Sequence, residues 1–342
     1  MRYRFYTTSN KAWDGIFKAI DSAKSSVFIE MYIFLGDTGA THDFLGKLAE
    51  KARSGVKVIV IADAYGSLQL KSSAVTALKE AGAEFRYFSH WLKRLHRKLV
   101  IVDEETAFLG GVNIEDKIRY WNDLQVRLSG PVIRPLLRSF ANTYVRCGGK
   151  DSEVLKYRRD RFIRKIKSWI LDDWQSEYNI KRYYLDKINQ SLERIRIVTP
   201  YLLPPRRLMV ALDEAVRRGV SVEIIIPEDT DIKSLNRLNL VNACRLAACG
   251  VNFYYTQKMN HAKVMEIDGR EALVGSQNLD FLSFGPNLEL GVFLKQKEAV
   301  ASVGKIIDRW QGEAYSPDLS PRSVGLWTRV LMYLYRIFFP FF

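Results

Sequence analysis

The amino-acid sequence predicts an α/β fold that is built twice: two duplicated α/β units, each a mixed, mostly parallel sheet flanked by helices, packed face to face with one shared active site. Three observations predict this fold. Stretches of helix length alternate with short β-branched strands, the alternation runs twice in the same order, and one spaced set of polar residues recurs in each half.

Chain length and composition predict two units. With 342 residues, 47% of them hydrophobic, the chain can bury two cores of the size found in domains of about 150 residues. We predict an N-terminal half over 1–149 and a C-terminal half over 181–318. A basic insertion over 150–180 connects the halves, and an apolar, aromatic tail follows over 319–342.

Each half is predicted to begin with a helix that leads into a strand, "FKAIDSAKSSVFIEMYIF" in the first and "LDKINQSLERIRIVTPYLL" in the second. An amphipathic helix with a basic end then stops at a glycine and is followed by a β-branched strand, in "LAEKARSGVKVIVIAD" and in "LDEAVRRGVSVEIIIPED". A second helix and a glycine-led strand come next, "AGAEFRYF" and "CGVNFYY". Strands that alternate with helices of this length indicate a sheet covered by helices on its faces.

A repeated motif follows in each half. It reads "HRKLVIVDEETAFLGGVN" over 96–113 and "HAKVMEIDGREALVGSQN" over 261–278. Four residue types recur with a constant offset of 165 positions: His96 and His261, Lys98 and Lys263, Asp103 and Asp268, Asn113 and Asn278. A single H-x-K would carry little meaning, but recurrence at one offset indicates a shared chemical role.

The spacing of the motif indicates an anion site. Residues two apart in a strand share a face, so each histidine and the lysine after it can point into one cavity. The corner that follows is expected to bring backbone N–H groups and a Ser or Asn side chain to the same place. Its residues are Gly110 and Gly111 in the first half and Gly275 and Ser276 in the second. For Asp103 and Asp268, at strand ends, we predict a structural role in bracing the turn.

Two histidines have a chemical use in cleaving a phosphodiester without metal. One imidazole can attack phosphorus in line, while the other protonates the leaving oxygen and then activates the incoming alcohol or water. Fixed donors must hold the non-bridging oxygens, and the candidates are Lys98, Lys263, Asn113 and Asn278. Each histidine also needs an acceptor on its other nitrogen. The candidates are Asp123, 27 residues after His96, and Glu289, 28 residues after His261.

Charge and cysteine usage narrow the class of partner. The 52 Lys and Arg exceed the 38 Asp and Glu and give a net charge of +14, which favours nucleic acid, an acidic lipid surface or a phosphorylated substrate as the partner.

The three cysteines form no C-x-x-C pair, which suits a reducing compartment, and Cys244 and Cys249 are expected in the core. We expect no metal or other cofactor, and interpret His42 and His90 as surface or structural residues.

The tail is predicted to lie in a membrane interface. Its last 17 residues are almost wholly apolar and aromatic, and Arg329 and Arg336, seven apart, would lie on one helix face. The predicted membrane contacts are Trp327, Arg329, Tyr333, Arg336, Phe338 and Phe339. Packing on the core or at an oligomer interface is the alternative. For the basic stretch "YRRDRFIRKIKSW", a solvated helix face and an anion-facing surface both stay open.

H-x-K-x4-D followed by x6-G-[GS]-x-N, present twice, resembles the phospholipase D superfamily over nearly the entire chain. Within it the sequence is most similar to bacterial cardiolipin synthases of the short type that lack N-terminal membrane helices. The stretches "VRLSGPVI", "VTPYLLPPRRLMVALDEAVRRGV" and "NLDFLSFGPNLE" add to this resemblance. Many relatives carry Arg-Ser after "NLD-x", where this chain has Leu282-Ser283.

The resemblance implies a metal-independent, two-step phosphatidyl transfer in which His96 is the nucleophile and His261 the acid and base. We therefore expect a cardiolipin synthase with anionic phospholipid substrates, peripheral at the cytoplasmic face of the cell membrane and anchored by its tail. The N-terminus has no apolar run of signal-peptide length, which agrees with this expected location. We expect no nucleic-acid partner, and a homo-oligomer stays open. The alternatives are a hydrolytic phospholipase D, a nuclease of the superfamily and a non-catalytic lipid-binding scaffold.

Overall fold

The computed structural model describes residues 1–159, 170–172 and 180–320. The helices in this part of the chain are α1 Ser9–Asp21, α2 Phe44–Arg53, α3 Ser72–Glu80, α4 Ile133–Arg146, α5 Ser152–Leu155, α6 Ile180–Gln190, α7 Arg206–Arg217, α8 Lys233–Ala247 and α9 Lys297–Gly312. The strands are β1 Arg2–Thr8, β2 Ser26–Met31, β3 Lys57–Asp63, β4 Glu84–Phe88, β5 Lys98–Val102, β6 Thr106–Gly110, β7 Asn122–Ser129, β8 Ile170–Asp172, β9 Arg194–Val198, β10 Leu202–Leu203, β11 Ser221–Pro227, β12 Asn252–Thr256, β13 Val264–Ile267, β14 Glu271–Gly275, β15 Leu279–Asp280 and β16 Leu290–Leu294.

The first seven-stranded sheet has the order β1-β7-β6-β5-β2-β3-β4. β2, β3 and β4 are parallel, and Ile29 pairs with Val60 in their register. β5, β6, β7 and β1 run antiparallel to their neighbours. The predicted mixed α/β sheet is confirmed. Its parallel part consists of the strands joined by α2 and α3, whereas a tight turn joins the antiparallel pair β5 and β6.

The second seven-stranded sheet has the order β12-β11-β9-β13-β14-β16-β8. β9, β11 and β12 are parallel, as β2, β3 and β4 are in the first sheet. β13 is antiparallel to β9, and β8 is antiparallel to β16. The two sheets therefore share one topology, with β8 in the place that β1 has in the first sheet, and the predicted duplication is confirmed.

Glycines end the helices where the pattern predicted. Gly55 and Gly219 follow α2 and α7 with φ of +89° and +86°, and a side chain would strain the backbone at both positions. α1 packs on the first sheet through Trp13, Ile16 and Ile20, which belong to one buried apolar core. One cysteine prediction is wrong: Cys244 is buried but Cys249 is exposed, because it lies in the turn after α8.

The chain forms two compact units. The first comprises Met1–Ile180 with Val274–Ser276 and Pro286–Phe293, and the second comprises Lys181–Leu273, Gln277–Gly285 and the chain from Leu294, where the structure describes them. Ser276 and Glu289 come from the second repeat of the sequence but belong to the first unit. Both residues therefore lie in the same unit as His96.

Candidate active site

The aspartates of the two motifs hold the turns after β5 and β13. Asp103 accepts hydrogen bonds from the backbone N–H groups of Lys24 at 3.0 Å, Ser25 at 2.7 Å and Ser26 at 3.0 Å. Asp103 and Asp268 both have positive φ, 52° and 53°, a region that Asp tolerates better than most residues. These contacts tie the turn to the start of the neighbouring strand.

Asp268 repeats this arrangement in the second unit. Its carboxylate accepts from the backbone N–H groups of Leu192 at 3.1 Å, Glu193 at 2.9 Å and Arg194 at 2.9 Å. Burial alone would raise the pKa of both aspartates, but the backbone hydrogen bonds outweigh burial, and the pKa of each lies below its ordinary value. Both carboxyl groups are therefore charged in the folded protein at neutral pH.

We expect Asp103→Ala and Asp268→Ala each to lower the free energy of unfolding by about 2 kcal/mol, because charged hydrogen bonds are lost and Ala is strained at positive φ. Since the folded-state pKa is lowered, this stabilisation is full above the unfolded pKa of about 3.9 and disappears as pH falls through the folded value. Urea unfolding from neutral pH to about pH 3 measures it. Asp213→Ala, which removes a half-buried carboxylate paired with the exposed Arg217, is the control and should change less. An equal loss in the control would contradict the prediction.

His96 is buried at the start of β5 and faces a carboxylate. Its Nδ1 lies 3.0 and 3.1 Å from the two carboxylate oxygens of Glu289. The hydroxyl of Ser276 also donates to Glu289 and accepts from the N–H of Leu290 at 3.0 Å. Because an ionised carboxylate only accepts, the proton in this contact lies on Nδ1.

Backbone pairing fixes this contact. The N–H of His96 donates to the Leu288 carbonyl at 3.0 Å, and the N–H of Leu288 donates to the Arg94 carbonyl at 2.8 Å. Leu95 and Leu288 thus form a parallel bridge directly before the two functional residues. Glu289 was predicted as an acceptor from its distance to His261; the structure places it against His96, 193 positions away in sequence.

The lysines of both motifs turn back to their own histidines. Nζ of Lys98 donates to the carbonyl of His96 at 2.6 Å, and Nζ of Lys263 donates likewise to His261. All four residues are buried. Each lysine lies two residues after its histidine, so strand alternation places both side chains on one face, as the spacing predicted.

The glycines of the corners allow neighbouring strands to approach closely. A Cβ on Gly110 would lie 2.1 Å from the Leu124 carbonyl oxygen, and one on Gly275 would lie 2.6 Å from that of Leu290. The N–H groups of Gly111 and Ser276 donate to the same two carbonyls, because the corner continues the strand pairing.

Gly111 and Asp123 occupy the positions that Ser276 and Glu289 have in the second repeat. A Cβ on Gly111 would lie 2.1 Å from Oδ1 of Asp123, so position 111 has no room for a side chain. The first repeat thus combines glycine with aspartate where the second combines serine with the longer glutamate. Asp123 is fully buried, and its Oδ1 accepts from the N–H of Leu124 at 2.7 Å.

Gly111→Ala is expected to lower the free energy of unfolding by about 2 kcal/mol and turnover by more than about tenfold, because the new methyl group displaces the Asp123 carboxylate. Gly312→Ala is the matched control, since nothing lies within 4 Å of a Cβ at the end of α9. Its change in unfolding free energy should stay within about 0.5 kcal/mol. Denaturant unfolding and turnover of both variants measure the effect, and equal behaviour would refute it.

The two asparagines differ in their surroundings. Oδ1 of Asn113 accepts from the N–H of Ile33 at 3.3 Å, and the Asn113 carbonyl accepts from the Trp13 indole at 2.8 Å. Asn278 is anchored through its backbone N–H, which donates to the Ser283 hydroxyl at 3.2 Å. Both residues, the last of their motifs, are buried.

Two tyrosines were missed by sequence reasoning. The ring of Tyr32, directly after β2, meets the His96 imidazole edge to face at 4.8 Å, and Nζ of Lys98 lies 5.0 Å from the centre of that ring. Burial raises the pKa of Tyr32 to about 12, so its hydroxyl keeps its proton at neutral pH. Tyr201, after β9, meets His261 in the same way at 6.3 Å. The available signal was a tyrosine shortly after the first of the three parallel strands in each half, β2 and β9.

Arg97 was also missed. It lies between His96 and Lys98, so its side chain points to the opposite face of the strand, where it is fully buried. Its guanidinium donates to the Ser139 hydroxyl at 2.8 Å and lies 3.8 Å from Asp172 on β8. The basic insertion thereby contributes one acidic residue that supports the strand carrying His96.

The remaining predicted residues are His42, His90 and the six residues of the tail. His42 is structural, with Nε2 2.9 Å from Asp14, and His90 is an exposed loop residue. Trp327, Arg329, Tyr333, Arg336, Phe338 and Phe339 lie outside the described residues. Among the residues that the structure does describe, no helix combines the length and apolar character needed to cross a bilayer. In the same part of the chain, no cluster of His, Cys, Asp or Glu could hold a metal ion.

A family model described as "Cardiolipin synthase, PLD-like domain" matches residues 16–140 and 184–310. The probable cardiolipin synthase YwiE of Bacillus subtilis is 30% identical over 339 residues, which cover 93% of this chain and 67% of that protein. Cardiolipin synthase A of Pseudomonas fluorescens is 30% identical over 84% of this chain and 64% of its own length. This chain therefore spans about two thirds of both relatives.

The likeness extends to solved structures. Phosphatidylserine synthase of Haemophilus influenzae Rd KW20 aligns with a TM-score of 0.75 at 15% identity, over 98% of this chain and 93% of that one. At this identity the match shows the fold alone.

Proposed function

The chain belongs to the family of cardiolipin synthase, phospholipase D-like domains, and from this premise we propose that it transfers a phosphatidyl group between phospholipids. The donor is a phospholipid, the acceptor is the hydroxyl of phosphatidylglycerol or a related alcohol, and the product is cardiolipin. The reaction runs through a phosphohistidine and needs no metal.

One observation carries this proposal: the contact between Nδ1 of His96 and the carboxylate of Glu289. It holds the buried imidazole in one orientation with a proton on Nδ1, so we propose that Nε2 is the nitrogen that attacks phosphorus. The carboxylate also stabilises the positive charge that the ring acquires when Nε2 bonds to phosphorus. We propose that Asp123 and Glu289 perform this task, one for each histidine.

In the first step, Nε2 of His96 attacks phosphorus of the donor, and the bond from phosphorus to the leaving alcohol oxygen breaks. His261 gives its proton to that oxygen. In the second step, His261 takes the proton of the incoming phosphatidylglycerol hydroxyl, whose oxygen attacks phosphorus and releases His96. Each step breaks one phosphorus bond and forms another, and His261 returns to its starting state.

Lys98, Lys263, Asn113 and Asn278 are proposed to bind the non-bridging phosphate oxygens. The lysines already lie beside their histidines through the contacts to the histidine carbonyls. An ammonium group has three donors, so it can keep this contact and still bind phosphate. Fixed donors in a buried site stabilise the charge of the transition state more than mobile water does.

The proposed place of action is the cytoplasmic face of the cell membrane, to which the protein binds peripherally. The net charge of +14 supports attraction to anionic lipid. Anchoring by the tail over 319–342 is part of the same proposal.

Mass spectrometry of the lipids formed from phosphatidylglycerol vesicles, with and without phosphatidylethanolamine, tests the function. Cardiolipin as a product of the purified full chain supports the transferase. Phosphatidic acid alone would replace it by a hydrolytic phospholipase D, which shares the first step. No lipid product would favour the nuclease or the scaffold.

A further inference from the structure

Two loops of the first unit hold large apolar side chains out in solvent. The loop over 64–71 joins β3 to α3, and the loop over 89–97 joins β4 to β5. The exposed fractions are 60% for Tyr65, 71% for Leu68, 82% for Trp91 and 52% for Leu92. We call these four side chains the aromatic rim. Exposed tryptophan is rare, and a cluster of this kind marks an interaction surface.

The charges around the aromatic rim have one sign. Neither loop contains Asp or Glu, and Lys71, Lys93 and Arg94 belong to them. Lys71 and Lys93 are exposed. Aromatic side chains beside lysine and arginine suit the headgroup layer of a bilayer, where rings bury their apolar part and cations meet anionic lipid.

Hydrogen bonds hold both loops in place and tie them to the active site. Oδ1 of buried Asp63 accepts from the N–H groups of Tyr65 at 3.0 Å and Gly66 at 2.9 Å. Its Oδ2 accepts from the N–H of Leu95 at 2.7 Å, and Leu95 directly precedes His96. A surface that binds through these loops is thus rigidly connected to the proposed nucleophile.

The loop that carries Trp91 is further braced from inside. Nδ1 of His90 accepts from the N–H groups of Leu92 at 3.2 Å and Lys93 at 3.1 Å. The Arg94 guanidinium donates to the His90 carbonyl at 2.9 Å and stacks 4.5 Å from the centre of the Tyr65 ring. Because the backbone is fixed, little order has to be gained when the rim enters an interface, which favours binding.

We infer that the aromatic rim docks the enzyme on an anionic phospholipid bilayer and brings the lipid phosphate to His96. This inference rests on the proposed function and names the membrane contact of the same site. A shallow cavity of about 240 Å³ lies among the loops, and its lining includes Tyr65, Leu68, Trp91, Arg94 and the buried Asp63, whose carboxylate is occupied by backbone N–H groups of the two loops. The basic residues exposed beside the rim are complementary in charge to anionic lipid.

Flotation of the full chain with vesicles of phosphatidylcholine, alone or mixed with phosphatidylglycerol, tests the inference. Trp91→Ala should weaken binding to the mixed vesicles about tenfold, since a buried aromatic surface is lost. Leu68→Ala should weaken it about threefold. Leu192→Ala is the matched control because Leu192 is also 71% exposed, in the turn that Asp268 holds, and it should bind like the wild type.

Lys93→Gln separates the charge from the apolar contact. It should weaken binding to the mixed vesicles about fivefold and leave the weak binding to phosphatidylcholine unchanged. Equal flotation of Trp91→Ala and Leu192→Ala would overturn the inference. A wild-type dimer that Trp91→Ala converts to a monomer would overturn it as well, because the rim would then bind a second copy.

Turnover distinguishes this inference from the proposed function. With short-chain phosphatidylglycerol dissolved as monomers, Trp91→Ala should turn over like the wild type, whereas turnover on vesicles should fall with binding. If the wild type floats through its rim but makes no lipid product, the proposed function is wrong and the docking inference stands. If the enzyme is active but the rim variants bind vesicles as tightly as the wild type, the docking inference is wrong and the proposed function stands.

Discussion

His96→Ala is expected to abolish transfer, with a fall in kcat of about 10⁴-fold or more, because it removes the atom that we propose forms the covalent intermediate. His261→Ala should fall by about 10³-fold, since the leaving alcohol and the incoming alcohol lose their proton carrier. The double variant should be no worse than His96→Ala alone. Groups that act in one reaction sequence have losses that do not add.

The two single variants also reveal the order of the histidines. After mixing with phosphatidylglycerol that is radioactively labelled in its phosphate, His261→Ala should retain label on the protein, in the acid-labile and alkali-stable form typical of phosphohistidine. His96→Ala should retain none. Label on His96→Ala and none on His261→Ala would reverse the roles. His42→Ala is the control, because this buried histidine contacts Asp14 and Thr41 and should keep its turnover.

Local sequence signals predicted the elements but not their directions. Gly55 and Gly219 follow the ends of their helices with positive φ, a conformation that glycine adopts without strain, so this signal is local. The antiparallel course of β5 to β7 depends on which strand lies beside which, and no short pattern encodes that. β8, which fills the place of β1 in the second sheet, comes from an insertion that matches nothing in the other half.

The residues of the site were predicted more fully than their partners. His96, Lys98 and Asn113 share a constant offset with their counterparts, and spacing within one strand fixes which side chains share a face. The acceptor for His96 could not be read in this way. Glu289 lies 193 positions away, and only the pairing of Leu95 with Leu288 brings it there.

Glu289→Gln is the second variant with a large expected effect, about 10³-fold in kcat with little change in KM. The amide has nearly the same shape, but it carries no charge to stabilise the imidazolium formed when Nε2 of His96 bonds to phosphorus. It can also present a donor to Nδ1, which would place the proton on Nε2 and remove the lone pair. The loss should therefore exceed that of one ordinary hydrogen bond.

Stability separates this electrostatic role from a merely structural one. Glu266→Gln is the matched control, because Glu266 is also buried and accepts from Nε of Arg196 at 2.6 Å. It should lower the free energy of unfolding and leave kcat unchanged, since breaking a buried ion pair strands the remaining charge. Glu289→Gln should show the opposite balance, with a large loss in kcat and a smaller loss in stability. If both variants lost stability and turnover in the same proportion, Glu289 would be a residue of the fold and not of the reaction.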